Sequence, residues 1–323
     1  MDNKVSVLIT TYNQEKYVTQ AVESALRQQA DFPFEIVIGD DCSTDHTRDI
    51  LKALSKSHPE RIRLWLRDQK GEGLPGKINF VETLKACQGQ FIALLDGDDY
   101  WTDVQKLQKQ VNFLDGHSDY AFCFHNAGIV REGETPDPAK RFCAPDQKQT
   151  STLEDLTRGN FIFAGSVMFR RGLFGEFPDW FYTALTGDWL LHLFNAQHGK
   201  IGYLDEVMAV YRVHAGSSWS SNSPRLRLTD QIDLLDKINA HLEFKYDKTI
   251  KATQYQSLAE LAEIAYWQGD PNGARTFLVR RVKLGLSINR LPALRELGRL
   301  VKLCNPALVN LIRSLRDSLS SRL

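Results

Sequence analysis

No charge of either sign predominates in this chain of 323 residues: Lys and Arg number 40, Asp and Glu also 40, and the formal net charge is zero. There is therefore no global field to recruit a polyanion, and nucleic acid is not an expected partner. Cysteine is scarce. Cys42, Cys87, Cys123, Cys143 and Cys304 are odd in number and lack C-x-x-C spacing. That pattern argues against a disulfide framework or a zinc site, fits a reducing cytosol, and leaves each thiol as a small buried hydrophobe. No apolar run approaches the ~20 residues that a membrane-spanning helix needs. The opening Met1-Asp2-Asn3-Lys4 leads directly into a strand, so no signal peptide is expected and the expected setting is the cytoplasm. The P-loop pattern G-x-x-x-x-G-K-[ST] is missing, which disfavours an ATPase reading.

Set against these absences is the stretch Asp96-Gly97-Asp98-Asp99, which follows the apolar run Phe91-Ile92-Ala93-Leu94-Leu95. A run apolar on both faces reads as a buried strand of a parallel sheet. Three carboxylates crowded onto its end repel one another unless a cation lies between them. Oxygen donors of this kind suit Mg²⁺ or Mn²⁺ that also holds phosphate oxygens. An isolated D-x-D can equally be a solvated acidic turn, so the context has to decide.

The context is a βαβαβαβ alternation. Val5–Ile9, Phe34–Ile38, Arg61–Leu66 and Phe91–Leu95 read as strands; Tyr17–Gln28, His46–Ser57 and Lys77–Cys87 read as helices, with Ser43-Thr44-Asp45 as a capping group. The fold class is α/β: a Rossmann-like, mostly parallel sheet flanked by helices, with ligands at the carboxyl ends of the strands. Thr10 and Tyr12, Asp40 and Asp41, and Asp96 to Asp99 all fall at such ends.

From about 101 to 221 the pattern is mixed. Gln105–Leu114, Thr152–Arg158 and Trp189–Gln197 read as helices, and Tyr120–Val130, Ser166–Phe169 and Gly202–Val213 as strands. The expected division is an α/β domain over 1–222 and an α-helical region over 223–323. In the latter, Leu226–Phe244, Tyr255–Gln268, Asn272–Leu284 and Leu291–Leu303 carry helical periodicity. Gly269-Asp270-Pro271 reads as a helix stop and restart, faintly like a tetratricopeptide hairpin. Residues 273–323 hold eleven Lys or Arg and two acids. Peripheral contact with an anionic membrane surface is one reading of that basic tail; a solvated helical bundle or an oligomer interface is the other.

Taken in order, Val5-Ser6-Val7-Leu8-Ile9-Thr10-Thr11-Tyr12-Asn13, Glu35-Ile36-Val37-Ile38-Gly39-Asp40-Asp41-Cys42-Ser43-Thr44-Asp45, Asp96-Gly97-Asp98-Asp99 and Gly187-Asp188-Trp189 resemble the inverting glycosyltransferases of family 2, with the GT-A fold, over residues 4–220. The resemblance implies that Thr10 and Tyr12 form the lip of a nucleotide pocket, and that Asp41 accepts the uracil imide N–H of a UDP-sugar. It implies Asp98 as a ligand of Mn²⁺ or Mg²⁺, with Asp96 meeting the ribose or the metal. Lys77 and Asn79 stand where the family has an Arg-Asn pair; Lys keeps the charge without the bidentate fork. Asp188 matches the catalytic base, with Gly187 where an acidic residue is common. An unpaired carboxylate beside Trp189 would be partly desolvated, which suits a general base; alone, Asp188 also reads as a helix cap. His214 reads as a further metal or diphosphate ligand, or as a structural histidine. Gly216-Ser217-Ser218-Trp219-Ser220-Ser221 reads as a lid or a linker, and Asn160–Arg170 as the acceptor side or a packing strand. Asp41, Asp98 and Asp188 are expected around one cavity.

The leading expectation is thus a metal-dependent inverting glycosyltransferase, moving a sugar from a UDP-sugar to a glycan or lipid-linked saccharide in envelope or capsular polysaccharide synthesis. A nucleotidyl- or phosphoryl-transferase, which also uses paired carboxylates and metal, and a non-catalytic nucleotide-sugar-binding scaffold are the alternatives.

Overall fold

The computed structural model describes residues 3–71, 73–137, 139–216 and 222–288. The chain divides into two compact units, one over residues 1–221 and one from 222 onward. In chain order the first comprises β1 (Val5–Thr11), α1 (Val18–Leu26), β2 (Phe34–Asp40), α2 (Thr47–Ser57), β3 (Ile62–Leu66), α3 (Lys77–Ala86), β4 (Phe91–Asp96), β5 (Tyr100–Trp101), α4 (Lys106–Gly116), β6 (Tyr120–Arg131), β7 (Thr150–Ser151), α5 (Leu153–Leu156), β8 (Met168–Arg170), α6 (Asp188–Ala196) and β9 (Lys200–Val213). Short 3₁₀ turns cover Ala164–Ser166 and Asp179–Thr183.

The strands form one sheet in the order β3-β2-β1-β4-β8-β6-β9-β5, with β7 paired to β9. From β3 to β4 every pairing is parallel. β1 and β2 are buried along almost their whole length, which is why both are mostly apolar; the two interior polar residues, Ser6 and Glu35, hydrogen-bond each other. The expectation of a mostly parallel sheet holds for this half. Beyond β4 the sheet is mixed: β8 runs antiparallel to β4 and β6, whereas β6 and β9 are parallel. The short strand expected over Ser166–Phe169 is β8, at Met168–Arg170.

The main core joins β1, β2 and β4 to α1, α2 and α4, through Val7, Ile9, Val22, Ile36, Leu51, Leu95 and Leu107 among others. Register then sets the site. Thr11 is opposite Asp40 on β2, and Thr10 is opposite Asp96 on β4, so polar strand ends from three elements lie side by side. β9 is a strap of fourteen residues, and its Ala209 and Val210 pair with Trp101 and Tyr100 of β5. That pairing carries the residues after Val210 back to the acidic turn. Cys87, Cys123 and Cys143 are buried free thiols, as expected, and Cys42 is half-buried; Cys304 lies outside the described residues.

The second unit contains α7 (Pro224–His241), α8 (Asp247–Trp267) and α9 (Pro271–Ser287), packed around Ile232, Leu258 and Leu261. Ser223 and Asp270 cap α7 and α9 by accepting from the N–H groups of Leu226 and Gly273, each followed by proline at the first helical position. The stop and restart at Gly269-Asp270-Pro271 is therefore real. The helix expected over 291–303, most of the basic tail, and the serine-rich run from 217 to 221 lie outside the described residues. No helix among the described residues is long and apolar enough to cross a membrane.

Two buried histidines make the first unit acid-sensitive. His192 on α6 is fully buried with its ring stacked on Phe122, 5.7 Å between centroids, and neither ring nitrogen has a hydrogen-bond partner. Burial pushes its pKa from the ordinary 6.5 down to about 4. His125 is pushed down to about 3, by burial first and then by the charge of Lys106. A histidine neutral in the folded state and protonated in the unfolded one contributes stability above pH 6.5, lost as pH falls toward the folded value. Each accounts for about 1.4 kcal/mol per pH unit in that window. His192→Phe keeps the stack and removes one titration, so between about pH 7.5 and 5 it should lose about 2 kcal/mol less stability than the parent, read from urea unfolding.

Candidate active site

The acidic turn is built by close packing. The N–H of Gly97 donates to the carbonyl of Thr10 at 3.0 Å, and that of Asp99 to the carbonyl of Asp96, also at 3.0 Å. A Cβ on Gly97 would strike Oε1 of Gln14 and stand 2.6 Å from Cγ2 of Thr11, so only glycine lets the turn pass beneath the end of β1. Thr10 donates its hydroxyl to Oδ1 of Asp96 at 3.1 Å.

The carboxylates here are close enough to alter one another. Asp96 is pushed up to about 7, by burial first, then by the charge of Asp98; the Thr10 hydroxyl opposes this and Asp188 adds to it. Asp99 is held well above the usual carboxylate range by burial, with Asp98 and Asp96 contributing. Cationic and N–H groups come from the end of β9. Nε2 of His214 is 3.0 Å from Oδ2 of Asp98, and that bond raises the histidine pKa. Arg212 donates its backbone N–H to Asp99 at 2.7 Å and its Nη1 to the carbonyl of Asp98 at 2.6 Å. Its guanidinium lies over the rings of Tyr100 and Tyr17, 4.5 and 5.1 Å from their centroids.

Among the described residues no three His, Cys, Asp or Glu side chains stand in metal-ligand geometry. His214 meets Asp98 directly instead of standing beside it as a second ligand, because an imidazole and a carboxylate at this spacing hydrogen-bond to each other. The donor set itself still fits a hard divalent cation: crowded carboxylate oxygens with one imidazole, where burial and then the charge of Asp98 push Asp96 up to about 7.

Asp41 follows β2 and is buried. Its Oδ1 accepts from Nη1 of Arg67 at 3.0 Å, and its Oδ2 from the N–H of Gly76 at 2.9 Å. The residue after it, Cys42, has a φ of 60°, a left-handed conformation that is uncommon outside glycine. A cavity of about 80 Å³ adjoins Asp41, walled by Arg67, Lys70 and Gly71 to Ile78 apart from residues 72 and 77. Tyr12, at the rim, accepts from Lys70 at 2.6 Å and is 39% exposed. The walls of this cavity include neither Asp98 nor Asp188. Arg67 and Gly76, which bond Asp41, both line it. Asn79 serves the packing of α3. It is buried, and its Nδ2 donates to the carbonyl of Gly39 at 3.0 Å, which ties α3 to β2. Lys77 is buried, with Nζ 4.9 Å from the ring centroid of Phe181.

Asp188 is the first residue of α6, where a carboxylate is favoured by the free N–H groups of the helix start. It is not unpaired: Asn160 donates Nδ2 to its Oδ2 at 3.0 Å. Trp189 turns inward and donates to the carbonyl of Leu156 at 3.0 Å, so the indole is core. Of the stretch from Asn160 to Arg170, Asn160 reaches Asp188, whereas Gly165 accepts from Trp101 and Arg170 donates to the carbonyl of Tyr120.

The sequence model of glycosyl transferase family 2 matches residues 6–177, more than half of the chain. The chain belongs to that family. An uncharacterized protein of Mycobacterium tuberculosis is 37% identical over 217 residues, which is 67% of this chain and 61% of that protein. The chain thus spans about three-fifths of the length of that relative. TuaG of Bacillus subtilis, named for glycosyl transfer in teichuronic acid biosynthesis, is 33% identical over 222 residues, covering 68% of this chain and 82% of that protein. The crystal structure of Staphylococcus aureus TarS 1–349 with UDP-GlcNAc superposes with a TM-score of 0.61 over 87% of this chain and 81% of that one, at 23% identity. At that identity the likeness establishes the GT-A fold.

Against the family 2 framework, three contributors escaped the sequence reading. Arg67 directly follows β3, so the same strand-end rule that singled out Asp41 applies to it. Lys70 is in the segment that folds over Asp41. Arg212 is two residues before His214, on the same face of an extended strand. It joins the acidic turn to β9 by two hydrogen bonds and two ring faces. Arg212→Ala should therefore lower unfolding free energy by about 2–3 kcal/mol, and Arg212→Lys should recover less than half of that, as measured by chemical denaturation; an ammonium cannot span both rings and the Asp98 carbonyl.

Proposed function

We propose that this chain is an inverting glycosyltransferase that takes a sugar from a nucleotide-sugar, specifically a UDP-sugar, and places it on a hydroxyl of a glycan or lipid-linked saccharide. The observation that carries this reading is electrostatic: Asp96 and Asp98 at the end of β4 and Asp188 at the start of α6, ninety residues apart in sequence, are near enough for each of the other two to raise the proton affinity of Asp96. Family membership supplies the reaction type, and the name of the Bacillus relative favours an envelope glycan as the acceptor.

The roles follow from position. Asp41, held by Arg67 and the N–H of Gly76, would receive the imide N–H of the base, with Tyr12 and Thr10 at the lip. Asp98 and Asp96, with His214, would hold Mn²⁺ or Mg²⁺, and Lys77 adds a cation on the donor side. When bound, the metal offsets the charge of the leaving diphosphate. Asp188 is oriented by Asn160, which grips one carboxylate oxygen, so the other takes the proton from the acceptor hydroxyl. As that proton leaves, the hydroxyl oxygen bonds to the anomeric carbon. The bond from that carbon to the diphosphate breaks on the opposite face, its electron pair leaving with UDP. Inversion is the consequence of this single displacement.

A panel of UDP-sugars with Mn²⁺, read by released UDP, should show slow hydrolysis of one donor without acceptor. Asp188→Asn should cut transfer by about 10²- to 10⁴-fold while leaving UDP affinity within about twofold of the parent. Asp98→Ala should abolish the metal-dependent part of UDP binding in calorimetry. Full turnover by Asp188→Asn would mean that another group is the base.

A further inference from the structure

Gly187, immediately before Asp188, is a glycine without a backbone reason to be one. Its φ and ψ are −90° and −41°, values open to any residue. The reason is steric and lies on another element. A Cβ built on Gly187 would stand 2.7 Å from Nζ of Lys77, with Cε and Cδ at 3.7 and 3.8 Å. The lysine side chain thus lies along the space that a side chain at 187 would fill, with its ammonium against the ring of Phe181 on the other side.

The location of Lys77 gives this contact its meaning. Its backbone opens α3, next to Gly76, whose N–H holds Asp41. A cation at a helix N-terminus is disfavoured by the helix dipole, so helix stability is not what places it there. Its side chain is buried and ends at Gly187, one residue from Asp188. A backbone hydrogen bond runs parallel to it, from the N–H of Leu74 to the carbonyl of Tyr182 at 2.9 Å. Two segments far apart in sequence, one enclosing Asp41 and one leading into Asp188, are therefore fastened together here.

We infer that Gly187 and Lys77 work as a positioning pair: the vacant side-chain position at 187 admits the Lys77 ammonium, which ties the Asp41 pocket to the segment that aims Asp188. The pair deepens the glycosyltransferase reading and rests on it for the role of Asp188. Because the clashing atom is the tip of a flexible side chain, an alanine at 187 displaces Lys77 at little cost in folding. The displacement loosens the aim of the base, an error of the kind that costs about 10- to 100-fold in rate when a reacting group is misplaced by about 1 Å.

The test is a cycle of Lys77→Ala, Gly187→Ala and the double variant in the full chain. Three readouts are taken: melting temperature, donor kcat and KM separately, and labelling of Lys77 by acetic anhydride followed by peptide mass spectrometry. Gly187→Ala should leave the melting temperature close to that of the parent, speed Lys77 labelling severalfold, and lower kcat by about tenfold or more. Added to Lys77→Ala, the same change should have no further effect on kcat. Independent, multiplying losses in the double variant would overturn the pairing, as would unchanged Lys77 labelling in Gly187→Ala. If the parent itself turns over no nucleotide-sugar, the glycosyltransferase reading falls, and labelling alone then decides whether Gly187 admits Lys77.

Discussion

Carboxylate crowding at the carboxyl ends of β1, β2 and β4 is the constraint around which the first unit is built. Parallel pairing in register puts Asp40 and Asp96 on either side of β1, with Asp41, Asp98 and Asp99 just beyond. Each charge has an answer from a different place. Asp40 pairs with Arg48 at 2.8 Å and Asp41 with Arg67. Asp98 meets His214, and Asp99 takes the N–H of Arg212. Asp96 receives the Thr10 hydroxyl, a neutral donor, and it is here that the proton affinity climbs to about 7. A buried like-charge site in which both Asp96 and Asp99 are raised is where an added cation gains most.

β9 shows how the fold supplies those answers from a distance. It pairs with β6 along most of its length, with β7 near its start and with β5 near its end. The β5 pairing is only two residues wide, yet it decides where Arg212 and His214 arrive. The guanidinium then does three things at once: it covers two tyrosine rings, binds the Asp98 carbonyl and approaches Gln20 on α1. A long strand anchored in the sheet core is a more rigid support than a loop for groups that must face a charged ligand.

What the sequence disclosed and what it withheld divide along the range of the interactions. The parallel half was legible because β1, β2 and β4 are buried on both faces and so are mostly apolar despite Ser6 and Glu35, and because strand-end residues belong to a position that topology makes special. The acidic turn was legible for the same reason. A strand at β8 was expected over Ser166–Phe169, but its antiparallel place between β4 and β6 was not, since pairing partners leave no local signal. The bond from Asn79 on α3 to the carbonyl of Gly39 on β2 was not legible, because it joins two elements forty residues apart. The hold on Asp41 was not legible either: it depends on Arg67 and Gly76, contacts with no local signature. Trp189 looked like a wall beside Asp188 but faces the carbonyl of Leu156.

Asp188 differs in kind from the strand-end acids, and the difference bears on what each can do. The strand-end group is delivered by the sheet and answered mostly by hydrogen bonds and ion pairs at its back. Asp188 is delivered by a helix start, where peptide N–H groups favour negative charge, and it is oriented by Asn160, a neutral amide that fixes geometry without offsetting charge. In the role proposed for Asp188 a salt bridge would be a handicap, since a paired carboxylate is a poor proton acceptor. Such a base needs its orientation from neutral or distant groups. The amide of Asn160 meets that requirement from one side, and the Gly187 slot, which keeps a second acidic or bulky side chain away while admitting a lysine tip, meets it from the other.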